Sequence, residues 1–133
     1  MSYIVETQHT VSPVVINVLN EDFSPAQELG AALDEIGAAF DSMTEPFYYV
    51  SDTSKAKWNF GEMVQAMSSA ASRGMNLLKN PHLKEIIVVT DSSLIQLGVS
   101  ALGQEQYGMV RARTVPTLEA ALDYINGAAQ ASA

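Results

Sequence analysis

Apolar residues recur along this chain in two alternating rhythms. Short continuous runs, rich in β-branched and aromatic residues, occupy 13–19 (Pro-Val-Val-Ile-Asn-Val-Leu), 47–50 (Phe-Tyr-Tyr-Val) and 86–89 (Ile-Ile-Val-Val). Between and after them, apolar residues return every three or four positions. The first rhythm marks strands buried on both faces, and the second marks amphipathic helices. The stretch 84–93 shows the plan best. It opens with Lys84-Glu85, runs through the four aliphatic residues and stops at Thr90-Asp91-Ser92-Ser93. Such a run predicts a parallel strand with helices above and below it, and the polar stop predicts a helix capped by Asp91 or Ser92.

The other elements follow in order. Residues 3–7 and 13–19 are expected to be two strands, joined through Ser12-Pro13 as a hairpin at the sheet edge. Ser24-Pro25-Ala26-Gln27 predicts a helix start, with Ser24 as N-cap, Pro25 at the first helical position and Gln27 as capping-box partner. Leu29, Ala32, Leu33, Ile36, Ala39 and Phe40 form its apolar face. After Pro46, Phe47–Asp52 predicts a strand, followed by the polar bridge Thr53-Ser54-Lys55-Ala56-Lys57-Trp58. Asn59-Phe60-Gly61-Glu62 is a second capping box, opening a helix with a stripe of Phe60, Met63, Val64, Met67, Ala70 and Ala71. Gly74 interrupts that helix and Asn80-Pro81 ends it.

Beyond the 86–89 strand, Leu94, Ile95, Leu97, Gly98, Ala101 and Leu102 predict a helical stripe closed by Gly103. Tyr107–Arg113 is the last expected strand, with Arg111 and Arg113 on one wetter face. Pro116 or Thr117 opens a final helix bearing Leu118, Ala121, Leu122 and Ile125; Gly127 is expected to end it and 128–133 to fray. The order β-β-α-β-α-β-α-β-α predicts an α/β fold. Its sheet is expected to be five-stranded, mixed and mostly parallel, in a single domain over 1–133 with a core at about 3–126.

Composition removes several functions. The absence of cysteine excludes disulfides, thiolate metal sites and cysteine nucleophiles. No window has the roughly 18 consecutive apolar residues of a membrane span, and Met1–Glu6 lacks the basic and apolar regions of a secretory signal. A cytoplasmic setting is the expectation. Net charge is −8, and residues 1–54 hold nine acids and neither lysine nor arginine. No basic face is available for nucleic acid, and a basic protein partner is the binding alternative to a merely solvated acidic face.

Candidate chemistry gathers at one place. If the strands are parallel, Asn20-Glu21-Asp22, Asp52-Thr53-Ser54, Asp91-Ser92-Ser93 and Thr114 share the carboxyl edge of the sheet, where open α/β sheets bind ligands. Asp91-Ser92 and Ser24 are explained by capping, whereas the loop after Asp52 is longer than capping requires. Clustered acids invite comparison with a phosphoryl-accepting receiver domain, but the last strand ends Arg113-Thr114-Val115-Pro116 without the lysine that chemistry needs. His9 and His82 lie far apart and have no ligand spacing. No glycine-rich nucleotide loop follows a strand. No catalytic set, metal site or cofactor is therefore expected. Trp58, Phe60, Tyr48, Met63, Met67, Met75 and Leu78 form an adaptable apolar set around the second predicted helix.

The element order resembles a STAS domain, in particular the SpoIIAA-like group of anti-sigma-factor antagonists. The resemblance spans roughly residues 3–126 and rests on three features. These are Phe47–Asp52 running into a polar loop and helix, the Ile86–Asp91 strand, and the closing helix Thr117–Ile125. It implies a non-enzymatic regulatory domain that binds a protein. It also implies a phospho-acceptor after the third strand, where Asp52-Thr53-Ser54-Lys55 stands in place of the family's Asp-Ser-Ser-Gly-like motif. Thr53 and Ser54 match its hydroxyls; Lys55 replaces its glycine. Asp91-Ser92-Ser93 is closer by letter but follows the fourth strand. The expected partner site is the loop 52–58 with the start of the next helix: Asp52, Thr53 and Ser54 for polar contacts, Trp58 and Phe60 for apolar ones. The alternative is a carrier or sensor of a small apolar ligand held between the second helix and the sheet. The opening hairpin and the last strand are where a homodimer would pair, with Arg111 and Arg113 opposing edge addition at the latter.

Overall fold

The computed structural model describes residues 2–9, 12–56, 61, 77, 79–101 and 111–131. They form one sheet of β1 (Tyr3–His9), β2 (Pro13–Leu19), β3 (Phe47–Asp52), β4 (Leu83–Val89) and β5 (Ala112–Val115), adjacent in sequence order. β1 runs antiparallel to β2, and every later pair is parallel. The expected mixed, mostly parallel five-stranded sheet is present. Three helices accompany it among the described residues: α1 (Pro25–Asp41), α2 (Ser93–Ala101) and α3 (Leu118–Ala131).

Continuous apolar runs became strands covered on both faces because alternate side chains point to opposite sides. Val15, Phe47 and half-buried Tyr49 meet Ile36 and Phe40 of α1. Val14, Ile16, Tyr48, Val50, Ile87 and Val89 meet Ala121 and Ile125 of α3 on the other face. Ile86 and Val88 complete the first face under Ile95 of α2. α1 and α2 thus share one face, as crossovers of one hand between successive parallel strands require, and α3 covers the other. Phe40 seats α1 on β3, edge-on to Phe47 and Tyr49 with ring centroids 4.9 and 5.2 Å away, the arrangement aromatic quadrupoles favour.

Several expectations need correction. Ser24 does precede α1, with Pro25 first, but its side chain makes no cap hydrogen bond. Glu28 rather than Gln27 closes the turn, accepting the Ser24 amide at 2.9 Å. The other Glu28 oxygen accepts the Ser2 hydroxyl, which ties the start of the chain to the start of α1. Leu97 is exposed rather than on the buried stripe; two residues from inward-facing Ile95, it lies about 200° around the helix. The final strand is Ala112–Val115; of the expected 107–113 strand, Arg111 is exposed just before it, its carbonyl accepting the Ile86 amide at 2.9 Å, and 107–110 lie outside the described residues. α3 does not stop at Gly127 but runs on to Ala131. The alanines beyond that glycine have the highest helix propensity, and Ala128 still packs on the α3-side core. Of the helix expected from Asn59 to the Asn80-Pro81 stop, with 75–79 as its continuation or a separate turn, only residues 61, 77 and 79 are described; Leu77 packs with Ile36 and Phe40.

The Ser2 hydroxyl, the Ser24 amide and the resulting bonds hold the Glu28 carboxyl below its ordinary pKa. A depressed carboxylate contributes stability that is complete above its unfolded-state pKa and lost as pH falls through the folded-state value. The difference in urea midpoint between the native chain and Glu28→Ala is therefore expected to be full at neutral pH and to narrow in the acid range. A difference that stays constant from neutral to strongly acid pH would contradict this role.

Candidate functional site

β2, β3 and β4 are parallel, so their carboxyl ends share one edge. Asp52, the last residue of β3, sits in register between Val18 and Val89. It falls on the α3 side with Tyr48 and Val50, and is only 5% exposed. A carboxylate buried this deeply needs donors, and the next turn supplies them. One Asp52 oxygen accepts both the Ser54 amide at 3.0 Å and the Ser54 hydroxyl at 2.6 Å. This is the local side-chain-to-backbone turn that aspartate favours.

The same turn is tied to its neighbours. Thr53 donates its amide at 3.0 Å and its hydroxyl at 2.8 Å to the Val89 carbonyl at the end of β4. The Ala56 amide donates to the Thr53 carbonyl at 3.1 Å, and Ala56 packs with Leu19, Phe23 and Ala32. The segment is thus held to β4 on one side and to β2 and α1 on the other. Ser54 and Lys55 remain exposed. Among the described residues Asp52 accepts its bonds from its own turn.

The structure therefore brings Asp52, Thr53 and Ser54 together; Trp58 and Phe60 lie outside the described residues. Ser92 acts as the expected cap of α2, its hydroxyl accepting the Ile95 amide at 3.4 Å, and its own amide donates to Thr90 Oγ1 at 3.0 Å. Thr117 Oγ1 caps α3 by accepting the Ala120 amide at 3.0 Å. Tyr48, one of the apolar set expected around the second helix, packs on the α3 side; Trp58, Phe60, Met63, Met67, Met75 and Leu78 lie outside the described residues. His9 pairs with Glu45 at 3.2 Å on the surface. Among the described residues no three His, Asp or Glu side chains converge as metal ligands, and no helix is long and apolar enough to cross a membrane.

Two buried polar clusters escaped the sequence reading. Glu85, expected as a charged strand opener, is buried and accepts Arg113 Nε at 2.5 Å and the Tyr124 hydroxyl at 2.8 Å. The Arg113 guanidinium lies 3.8 Å above the Tyr124 ring, a cation–π arrangement. The bond to Glu85 raises the Arg113 pKa, while burial and then Glu85 raise that of Tyr124. Period-two alternation placing Glu85 with Ile87 and Val89 was the available signal. This cluster lies at the amino end of β4, away from the Asp52 turn. On the α1 side, burial raises the Tyr49 pKa, and the Tyr49 hydroxyl accepts Asn17 Nδ2 at 3.4 Å. Asn17 Oδ1 is buried and has no hydrogen-bond partner among the described residues.

No family model matches the chain, and no curated protein matches it. Among solved structures it is similar to an uncharacterized protein of the DUF3478 family with a SpoIIAA-like fold, from Shewanella loihica PV-4. The similarity has a TM-score of 0.55 at 9% identity and covers 92% of this chain and 93% of the other. At that identity the likeness shows the fold, which is SpoIIAA-like α/β as the sequence reading expected.

The Glu85 cluster makes a stability prediction. Arg113→Met or Tyr124→Phe leaves a buried acceptor short of a donor, at an expected cost of about 1–3 kcal/mol, toward the lower end for Arg113 because that side chain is half-exposed. Adding Glu85→Leu to the double variant is expected to recover much of the loss, since the buried charge is then gone. Urea unfolding decides it: additive losses in the triple variant would show that the three residues do not act as one cluster.

Proposed function

We propose that this chain is a non-catalytic, regulatory SpoIIAA-like domain that docks a protein partner at the turn following β3. The observation carrying the reading is the Asp52–Ala56 turn, bonded to β4 through Thr53 and internally through Asp52, while Ser54 and Lys55 face outward. A surface fixed before encounter loses little conformational entropy on binding. Ser54 and Lys55 offer a hydroxyl and a cation to a partner's polar groups, and Trp58 follows three residues later as an apolar anchor of the kind that concentrates binding energy.

A catalytic reading of Ser54 beside Asp52 has less support. The Asp52 oxygen that accepts the hydroxyl also accepts the Ser54 amide, as in an ordinary turn. Of the two hydroxyls in the phospho-acceptor reading, Ser54 is the better placed. It is exposed, whereas Thr53 is half-buried and donates inward to Val89. A phosphate on Ser54 would face the Asp52 carboxylate and open the turn by like-charge repulsion.

Photo-crosslinking tests the site. With a photoreactive residue at position 55, irradiation in the source cells is expected to give one dominant protein adduct. That adduct is expected to vanish when Asp52→Ala frees the turn, and to be absent when the probe is at exposed Asp123 on α3. Equal labelling from both positions, or none from position 55, would refute docking at the turn.

A further inference from the structure

A second surface lies at the edge of the sheet. Among the described residues no strand pairs with the outer side of β1. The Asn20 amide donates to the Ser2 carbonyl at 2.8 Å, in register with the β1–β2 ladder. In an antiparallel pair, residues alternate between facing the partner strand and facing away. Residues 2, 4, 6 and 8 therefore direct their peptide groups to β2, and Tyr3, Val5 and Thr7 direct theirs outward. Beside this edge runs a groove of about 500 Å³, floored by the same three residues and walled by Glu35, Ala38 and Ala39 of α1. The two alanines leave room above the edge for side chains of an added strand.

The charges around the groove have one sign. Glu35 lies on the α1 side of the sheet, and Glu6, opposite Ile16, on the other. Both are exposed. Residues 1–54, which make up the hairpin, α1 and β3, contain nine acids and no lysine or arginine. A second copy of the chain would bring an equally acidic hairpin and helix against this one. A basic strand would instead meet Glu35 with one face and Glu6 with the other, while its backbone joined the outward peptide groups.

We infer that the free edge of β1, with the groove beside α1, docks an extended basic segment of a protein as an added strand. Main-chain bonds supply the affinity and the two flanking glutamates select for lysine or arginine. This surface is two strands from the Asp52 turn, and the inference stands independently of the role proposed for that turn.

The test uses a labelled octapeptide of valine, threonine and lysine, with lysines on both faces of the strand, and its glutamate-for-lysine counterpart. Fluorescence anisotropy with the full chain is expected to show binding of the lysine peptide and none of the glutamate peptide. Binding should weaken about tenfold from low to high salt, as expected for two exposed ion pairs. Thr7→Pro, which removes an outward amide and no ladder donor, is expected to abolish binding with the far-ultraviolet circular dichroism spectrum unchanged. The Glu6→Lys/Glu35→Lys variant is expected to reverse the preference, a readout that misfolding would not produce. Failure of the lysine peptide to bind, no preference between peptides, or indifference to both variants would overturn the inference. So would a native dimer in sedimentation that Thr7→Pro dissociates, which would assign the edge to a second copy.

Discussion

Burial of β2, β3 and β4 on both faces is the constraint from which the other features follow. Val15, Phe47, Val50, Ile87 and Val89 are all completely inaccessible, so these strands pack alternately against α1 and α2 above and α3 below. Strands enclosed this way must satisfy their peptide groups within the sheet, and polar chemistry is pushed to their ends. The Val89 carbonyl illustrates the consequence. It lies at the end of an enclosed strand and receives two bonds from Thr53, so the turn after β3 inherits the rigidity of the core.

Much of this was legible in the sequence where one physical signal dominated. The Val-Val-Ile, Phe-Tyr-Tyr-Val and Ile-Ile-Val-Val runs gave β2 and β3 their observed limits and β4 nearly so, because two-sided burial leaves no alternative to an apolar run. Side-chain partners were less legible. That Glu28 and not Gln27 answers Ser24 depends on Ser2 arriving from β1, a contact 26 residues away in sequence. Tyr48 and Tyr49 differ only in parity, and parity decides which face, and which helix, each one meets. Glu85 read only as a charged opening to the strand, and its partners came with strand pairing, which brought Arg113, and helix packing, which brought Tyr124. Gly127 read as a stop, but a helix followed by alanines has little reason to end there.

The candidate site shows the same division. Position and residue type marked Asp52-Thr53-Ser54 as a loop at the binding edge of an α/β sheet, while the bonds that make it a fixed turn required the neighbouring strand. The SpoIIAA-like fold accounts for where this turn sits. Lys55, standing where the resembling motif has glycine, is exposed and gives the turn a positive group in an otherwise acidic half of the chain. The pinned turn and the open β1 edge are physically different surfaces. One presents fixed side chains, and the other presents peptide groups between acidic flanks.

The core holds the Asp52 turn in place, and amide hydrogen exchange measures that hold directly. The Thr53 amide donates to the Val89 carbonyl and the Ser54 amide to the Asp52 carboxylate. Both are expected to exchange slowly, with Thr53 approaching the protection of β4 amides and Ser54 losing its protection in Asp52→Ala. Exchange of both at the rate of an unstructured peptide would contradict a preformed docking turn.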